Sequence, residues 1–335
     1  MITNIFINTL LLSFSGSVIA LILFAVRPFI KLKLSKTWQY YIWLAVILRL
    51  LIPYKPKISL MSGLYKVMEN NNWIMNASMT GTVGIILKYI GIAWLSIAVI
   101  LLLKKIISYQ IYVCFIKENR KLVTDVNITG IYSEVCSEKG IKRKIGLYSY
   151  KMINSPMLIG FFKPYIVLPE AMLQKPEGLK YVLLHELTHH KRKDFLYKWL
   201  IQITLCIHFF NPIIFLIRDT VNKICEFSCD ETVIKKLDNR SKKAYGSALI
   251  SSLEINGEYR QHTTISLMLC EDVKLIKDRL DAIIQYKRSS KIIITATYIL
   301  TAMICLSSIY IGVFKNIYAN CSCHCLKPLI IISFY

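Results

Sequence analysis

The first 26 residues, Met1 to Val26, carry no charged side chain, and Arg27, Lys31, Lys33 and Lys36 follow at once. A helix of that length and polarity matches the hydrocarbon thickness of a bilayer. A cleaved signal peptide carries its positive charge ahead of the apolar run, so this segment reads as a retained span. Three more runs behave alike. Thr37 to Pro53 contains only Arg49, close enough to its end to snorkel. Gly84 to Leu103 has Lys88 near its start and stops at Lys104-Lys105. Ile292 to Phe314 is uncharged and follows Lys287, Arg288 and Lys291. The chain is 55% hydrophobic and only 19% charged, with mean hydropathy +0.47, more apolar surface than a soluble core of 335 residues needs. The expected fold class is a mainly α, polytopic membrane protein with four transmembrane helices.

A net charge of +22 suits either a nucleic-acid binder or a membrane protein with basic cytoplasmic segments. No DNA- or RNA-binding motif is present, and the lysines flank apolar runs instead of forming one stripe. Lipid is therefore the expected partner, with no direct nucleic-acid contact. Counting positive charge places the N-terminus outside, 27–36 inside, 54–83 outside, 104–291 inside and the tail, 315–335, outside. The expected domains are 1–105 with three spans, a cytoplasmic unit at 106–291, a fourth span at 292–314 and a short tail.

One stretch strains this scheme. Leu196 to Ile217 is nearly apolar, yet a crossing there would export Lys235, Lys236, Arg240, Lys242 and Lys243. Asn211-Pro212 breaks it in the middle, so it reads as a re-entrant or interfacial helical hairpin. Within the cytoplasmic unit, 107–120 reads as a basic helix. Short strands are expected at Ile145 to Ile153 and Tyr165 to Leu168, and helices at 177–193, 213–237, 242–255 and 271–287. Most of the ten cysteines are scattered singly and read as small buried apolar residues; only Cys321, Cys323 and Cys325 cluster. That tail triplet has the make-up to bind metal or form disulfides.

The chemistry concentrates in His185-Glu186-Leu187-Thr188-His189. On a helix, positions i and i+4 share a face, so both imidazoles reach one zinc ion. Glu186, beside the first ligand, is placed to take a proton from the attacking water. A catalytic zinc needs a third protein ligand and one open position. His208, Asp194, Cys225, Glu226, Cys229 and Asp230 are the candidates. Asp194 follows His189 by five residues and points off the ligand face, which suits a supporting contact. His208 reads as a buried, hydrogen-bonded histidine of the hairpin. Glu226 and Asp230 form an i, i+4 pair, so that Glu226 can bind zinc while Asp230 orients a ligand imidazole. The alternative for that pair is a solvated acidic face. Cysteine ligands would make a sulfur-rich site, more typical of structural zinc, and would leave Glu186 without a role.

Four motifs in order carry a resemblance. They are Ser155-Pro-Met-Leu-Ile-Gly-Phe-Phe-Lys-Pro-Tyr-Ile-Val-Leu-Pro169, Leu183-Leu-His-Glu-Leu-Thr-His-His-Lys-Arg-Lys-Asp194, Phe210-Asn-Pro212 and Cys225-Glu-Phe-Ser-Cys-Asp230. Together they resemble the BlaR/MecR family of antirepressor membrane zinc peptidases, from the first span to about residue 315. The resemblance implies a cytoplasmic α+β, gluzincin-like metallopeptidase domain with Zn2+ held by His185, His189 and Glu226. Glu186 is then the catalytic base, with Asp230 and Asp194 supporting the ligands. It also implies signalling by regulated proteolysis, through self-cleavage or relief of a BlaI/MecI-type winged-helix repressor. The sensors of that family carry a penicillin-binding domain after the fourth span. Here about twenty residues follow, without Ser-x-x-Lys, so direct β-lactam acylation is not expected. The competing readings are an HtpX-type quality-control protease and a zinc-binding scaffold that no longer cleaves. The basic junction Tyr286 to Lys291 reads as a positive-inside anchor, with self-cleavage as its second reading.

Overall fold

A computed structural model describes residues 2–30, 34–52 and 82–286, apart from Lys144, Asn154, Phe162, Lys175 and 261–265, together with Thr295. The expected outer loop 54–83 lies almost wholly outside the described residues. So do the fourth span, apart from Thr295, the basic junction after Tyr286 and the cysteine tail.

The apolar N-terminal run forms α1 (Ile2–Ile30), which continues through Arg27 and Pro28. α2 (Lys36–Leu51) starts at Ser35, whose hydroxyl accepts from the Trp38 N–H at 3.1 Å. The third run and the basic helix after it are one element, α3 (Thr82–Asn119). No glycine or proline between Gly91 and Asn119 interrupts the backbone, so the helix runs on through Lys104-Lys105. Among the described residues, α1 and α3 are long and apolar enough to cross a membrane; α2, at 16 residues, is shorter than the ~20 of a typical spanning helix. The outward faces of α1 and α3 are apolar: Phe14 is 63% exposed, Ile85 58% and Ile100 63%, the pattern of a lipid-facing surface.

A four-stranded sheet follows: β1 (Lys121–Leu122), β2 (Gly146–Tyr150), β3 (Met157–Ile159) and β4 (Tyr165–Pro169), in the spatial order β1-β2-β4-β3. β2 and β4 run parallel, while the outer pairs are antiparallel. β4 is buried along its whole length and alternates between two covers. Ile166 and Leu168 face one core, and Tyr165 and Val167 face another that includes Ile116 of α3. Between β3 and β4 the chain turns at Gly160 (φ 100°), where a Cβ would lie 2.6 Å from the Lys163 carbonyl oxygen. Between β1 and β2 the chain forms α4 (Val126–Lys139), an element not expected from the sequence. Its apolar positions are few, yet its ends are well marked: the Asp125 carboxylate caps the Asn127 and Ile128 amides, and Gly140 (φ 65°) closes it.

After a short turn of helix, α5 (Glu170–Gln174), the remaining chain is helical: α6 (Leu179–Arg192), α7 (Asp194–Ile207), α8 (Pro212–Ile234), α9 (Asn239–Arg260) and α10 (Ser266–Ile284). The apolar 196–217 stretch is broken at 208–211, where Asn211 caps α8 and Pro212 opens it. Three helices grip that corner. His208 donates from Nε2 to the Leu50 carbonyl (3.1 Å), Asn211 Nδ2 donates to Ser13 and Ser17 of α1 (2.8 and 2.7 Å), and Trp94 of α3 donates to the Ile207 carbonyl (2.9 Å).

α8 joins two cores. Its first half, with Ile214, Ile217, Val221 and Ile224, packs against α1, α2 and α7. Its end, with Val233 and Ile234, packs with the sheet, α6 and α9. Glu226 and Asp230 fall at the junction, facing α6.

Candidate active site

α6 is anchored by Leu179, Leu183, Leu184 and Leu187, all at most 1% exposed, and the stripe they form fixes which face turns toward α8. His185, Glu186 and His189 lie along one wall of a cleft of about 390 Å³. Ser155 to Leu158 of the β3 region also line it, and α9 and α10 contribute Tyr245 and Arg279.

The two imidazoles converge through Nε2, 3.1 Å apart. Glu226 Oε2 stands 3.3 Å from His185 Nε2 and 3.7 Å from His189 Nε2. Donor atoms bound at 2.0–2.2 Å around a tetrahedral zinc ion sit about 3.3–3.6 Å from one another. The triangle of two nitrogens and one carboxylate oxygen therefore has the dimensions of one face of such a site. Four carboxylates (Glu186, Asp194, Glu226, Asp230) gather here with three cations: Arg192, Arg279 and Lys198, whose Nζ is 3.8 Å from Glu226 Oε1. Burial alone would lower the proton affinity of His185 and His189. The acid and thiol groups around them outweigh it and hold both well above the usual imidazole range. Burial would likewise raise Glu226, but its hydrogen bonds with the two imidazoles hold it well below the carboxylate range. Glu186 differs: burial raises it, and the imidazoles only partly oppose the rise.

Each imidazole is also held from behind. His189 Nδ1 lies 2.6 Å from Asp194 Oδ2. Asp194 follows α6 across a single left-handed residue, Lys193 (φ 57°), which turns the chain sharply enough to bring the carboxylate back onto the ligand. A continuous helix would have pointed it away, so Lys193 is the signal that spacing alone does not reveal. Asp194 Oδ1 is 3.3 Å from Arg192 Nε, whose guanidinium lies over the Tyr40 ring at 4.8 Å. His185 Nδ1 meets the Tyr245 hydroxyl at 2.9 Å, and Asp230 Oδ1 at 3.3 Å. Asp230 therefore reaches His185 both directly and through the Tyr245 hydroxyl, which donates to the same Oδ1. Burial would raise Asp230, but Arg279 holds it down at about 2. Tyr245 and Arg279 were missed in the sequence, because 60 residues separate Tyr245 from His185 and 49 separate Arg279 from Asp230, with no motif linking them.

The other candidate ligands fall outside the triangle or beside it. His208 is at the hairpin corner, about 20 Å along α7 from Asp194, bonded to Leu50. Cys225 Sγ is 3.9 Å from His189 Nδ1, on the edge of the ring turned away from His185. Cys229 brings its Sγ within 4.8 Å of donor atoms of both histidines, while contacting the His185 carbonyl oxygen at 3.5 Å.

A largely helical, membrane-associated chain with such a helix belongs to the metallopeptidase class. A model of the BlaR1 peptidase M56 family matches residues 7–283, and the chain belongs to that family. It is similar to regulatory protein BlaR1 of Bacillus licheniformis, 29% identical over 182 residues, 53% of this chain and 30% of that protein. The methicillin resistance mecR1 protein of Staphylococcus epidermidis is 26% identical over 162 residues, 47% of this chain and 28% of that one. Regulatory protein BlaR1 of Staphylococcus aureus is 23% identical over 217 residues, 64% of this chain and 37% of the relative. The matches thus span about a third of these relatives' lengths.

Proposed function

We propose that this chain is a membrane-embedded zinc endopeptidase that acts in signalling by regulated proteolysis. The observation that carries the reading is the convergence of His185, His189 and Glu226 at one end of a cleft that also presents Glu186. These three residues would hold the ion, leaving one position open. A zinc ion there supplies Lewis acidity and lowers the pKa of bound water. Glu186 takes the proton of the attacking water and delivers it to the leaving amine. Asp194 and Asp230 keep the two imidazoles aimed, the second both directly and by way of Tyr245.

The cleft suits a peptide. Among the described residues β3 is an edge strand, and its Met157 and Leu158 line the cleft, so an extended segment that paired with that edge would pass the metal end. The basic flanks support a topology with the N-terminus outside and the peptidase unit inside, and the apolar faces of α1 and α3 support lipid contact. The substrate we propose is this chain itself or a BlaI/MecI-type winged-helix repressor, in keeping with the regulatory names of the relatives.

The test is the full chain in lipid with zinc content and proteolysis measured together, wild type against Glu186→Gln. The reading predicts equal zinc and no cleavage in the variant. Equal cleavage by both would remove Glu186 from the chemistry. A neighbouring gene for a small winged-helix repressor would support the regulatory part.

A further inference from the structure

Glu226 and Asp230 stand one turn apart on α8, the first half-buried and the second buried, both facing α6, and two carboxylates so placed repel each other. Arg279 of α10 lies against both. Its Nε and Nη2 donate to the two oxygens of Asp230, each at 2.7 Å, and its Nη1 is 3.8 Å from Glu226 Oε2. The fork occupies Asp230 on one side. On the other, the Tyr245 hydroxyl donates to Asp230 Oδ1 at 2.5 Å. A phenol has one proton, and this one is committed to the carboxylate. Toward His185 Nδ1, 2.9 Å away, the tyrosine oxygen can then only accept. That contact, with Asp230 Oδ1 3.3 Å from the same nitrogen, keeps a proton on Nδ1, so that the Nε2 proton, which faces His189 and Glu226, is the one a metal ion would displace.

From this chain of contacts we infer that Tyr245 and Arg279 are positioning residues: Tyr245 sets the tautomer of His185, and Arg279 sets the direction of that relay while holding Glu226 in place. The inference rests on the zinc reading above and adds to it a dependence on α9 and α10. A direct carboxylate would also accept from Nδ1, as Asp194 does for His189. At His185 the direct carboxylate contact, to Asp230, is longer at 3.3 Å and the Tyr245 hydroxyl at 2.9 Å is the nearer partner, so that arm depends on three helices at once.

The experiment uses the full chain in lipid and measures zinc affinity by competition with a chelator, with proteolysis followed over added zinc. Tyr245→Phe removes one oxygen and preserves the ring packing. It should weaken zinc binding by about 10-fold, within the range known for supporting contacts of metal ligands, with cleavage restored by excess zinc. Arg279→Ala should weaken it by about 10–100-fold, and Arg279→Lys should recover part of the loss by returning the charge without the fork. Wild-type affinity in Tyr245→Phe, or a loss that excess zinc does not rescue, overturns the inference; the second result marks a merely structural role. If Arg279→Ala does not fold, Tyr245→Phe and Arg279→Lys decide alone. A wild-type chain without zinc would instead defeat the function reading itself.

Discussion

The two imidazoles of α6 sit one turn apart and are supported in different ways. His189 takes a carboxylate supplied five residues later, across the left-handed turn at Lys193. His185 depends on Tyr245, Asp230 and Arg279, from α9, α8 and α10. The first support is complete once α6 and α7 have turned against each other. The second exists only when three distant helices pack. One half of the proposed metal site is thus a local structure and the other a tertiary one, and the proposal predicts that metal affinity depends on the packing of α9 and α10.

That contrast can be broken most severely at Asp230. Asp230→Ala strands the Arg279 guanidinium in a buried setting, and losing one partner of such a pair costs about 3–5 kcal/mol. The freed arginine would also be drawn to Glu226, away from the metal. Thermal unfolding and zinc affinity should both fall. The matching change on the local arm, Asp194→Asn, should weaken zinc by a similar factor of about 10–100. Its effect on apo stability should be smaller, about 1–3 kcal/mol, because Arg192 keeps its place over Tyr40. Equal stability losses from the two variants would erase the distinction between the arms.

A third check sits between them. Glu186 must be ionised to accept a proton, and burial raises its proton affinity. Activity should therefore fall as pH drops through a value above the ordinary ~4.3 of a glutamate. An acid limb at or below that value contradicts the buried-base assignment. The smallest effect is expected at Lys193. Glycine occupies left-handed backbone freely, so Lys193→Gly should leave zinc binding unchanged and shift stability by less than about 1 kcal/mol. Lys193→Val should uncouple Asp194 from His189, visible as weaker zinc binding with an intact His185 arm.

What could be read from the chain follows the same division. His185 and His189 were legible because helical spacing puts them on one face, with Glu186 beside the first, and Asn211-Pro212 announced the break that lets α8 return beside α6. The Glu226/Asp230 pair was legible as spacing, with the choice between ligand and support coming from the resemblance. Tyr245 and Arg279 were not, since side chains that meet only through packing leave no local signature. α4 was overlooked although Asp125 and Gly140 mark its ends, because its apolar positions are sparse. The span read at 84–103 and the basic helix read at 107–120 are one continuous helix, which spacing did not reveal because the basic pair Lys104-Lys105 between them is as compatible with a helix as the residues on either side.

The central claim is that one zinc ion is held by nitrogen and oxygen, not by the sulfur atoms of Cys225 and Cys229 nearby. X-ray absorption at the zinc edge of the full chain in lipid tests it directly. The account predicts only nitrogen and oxygen neighbours at about 2.0–2.2 Å, with one lost in Glu226→Ala. A sulfur neighbour at about 2.3 Å, unchanged in Glu226→Ala, would contradict it.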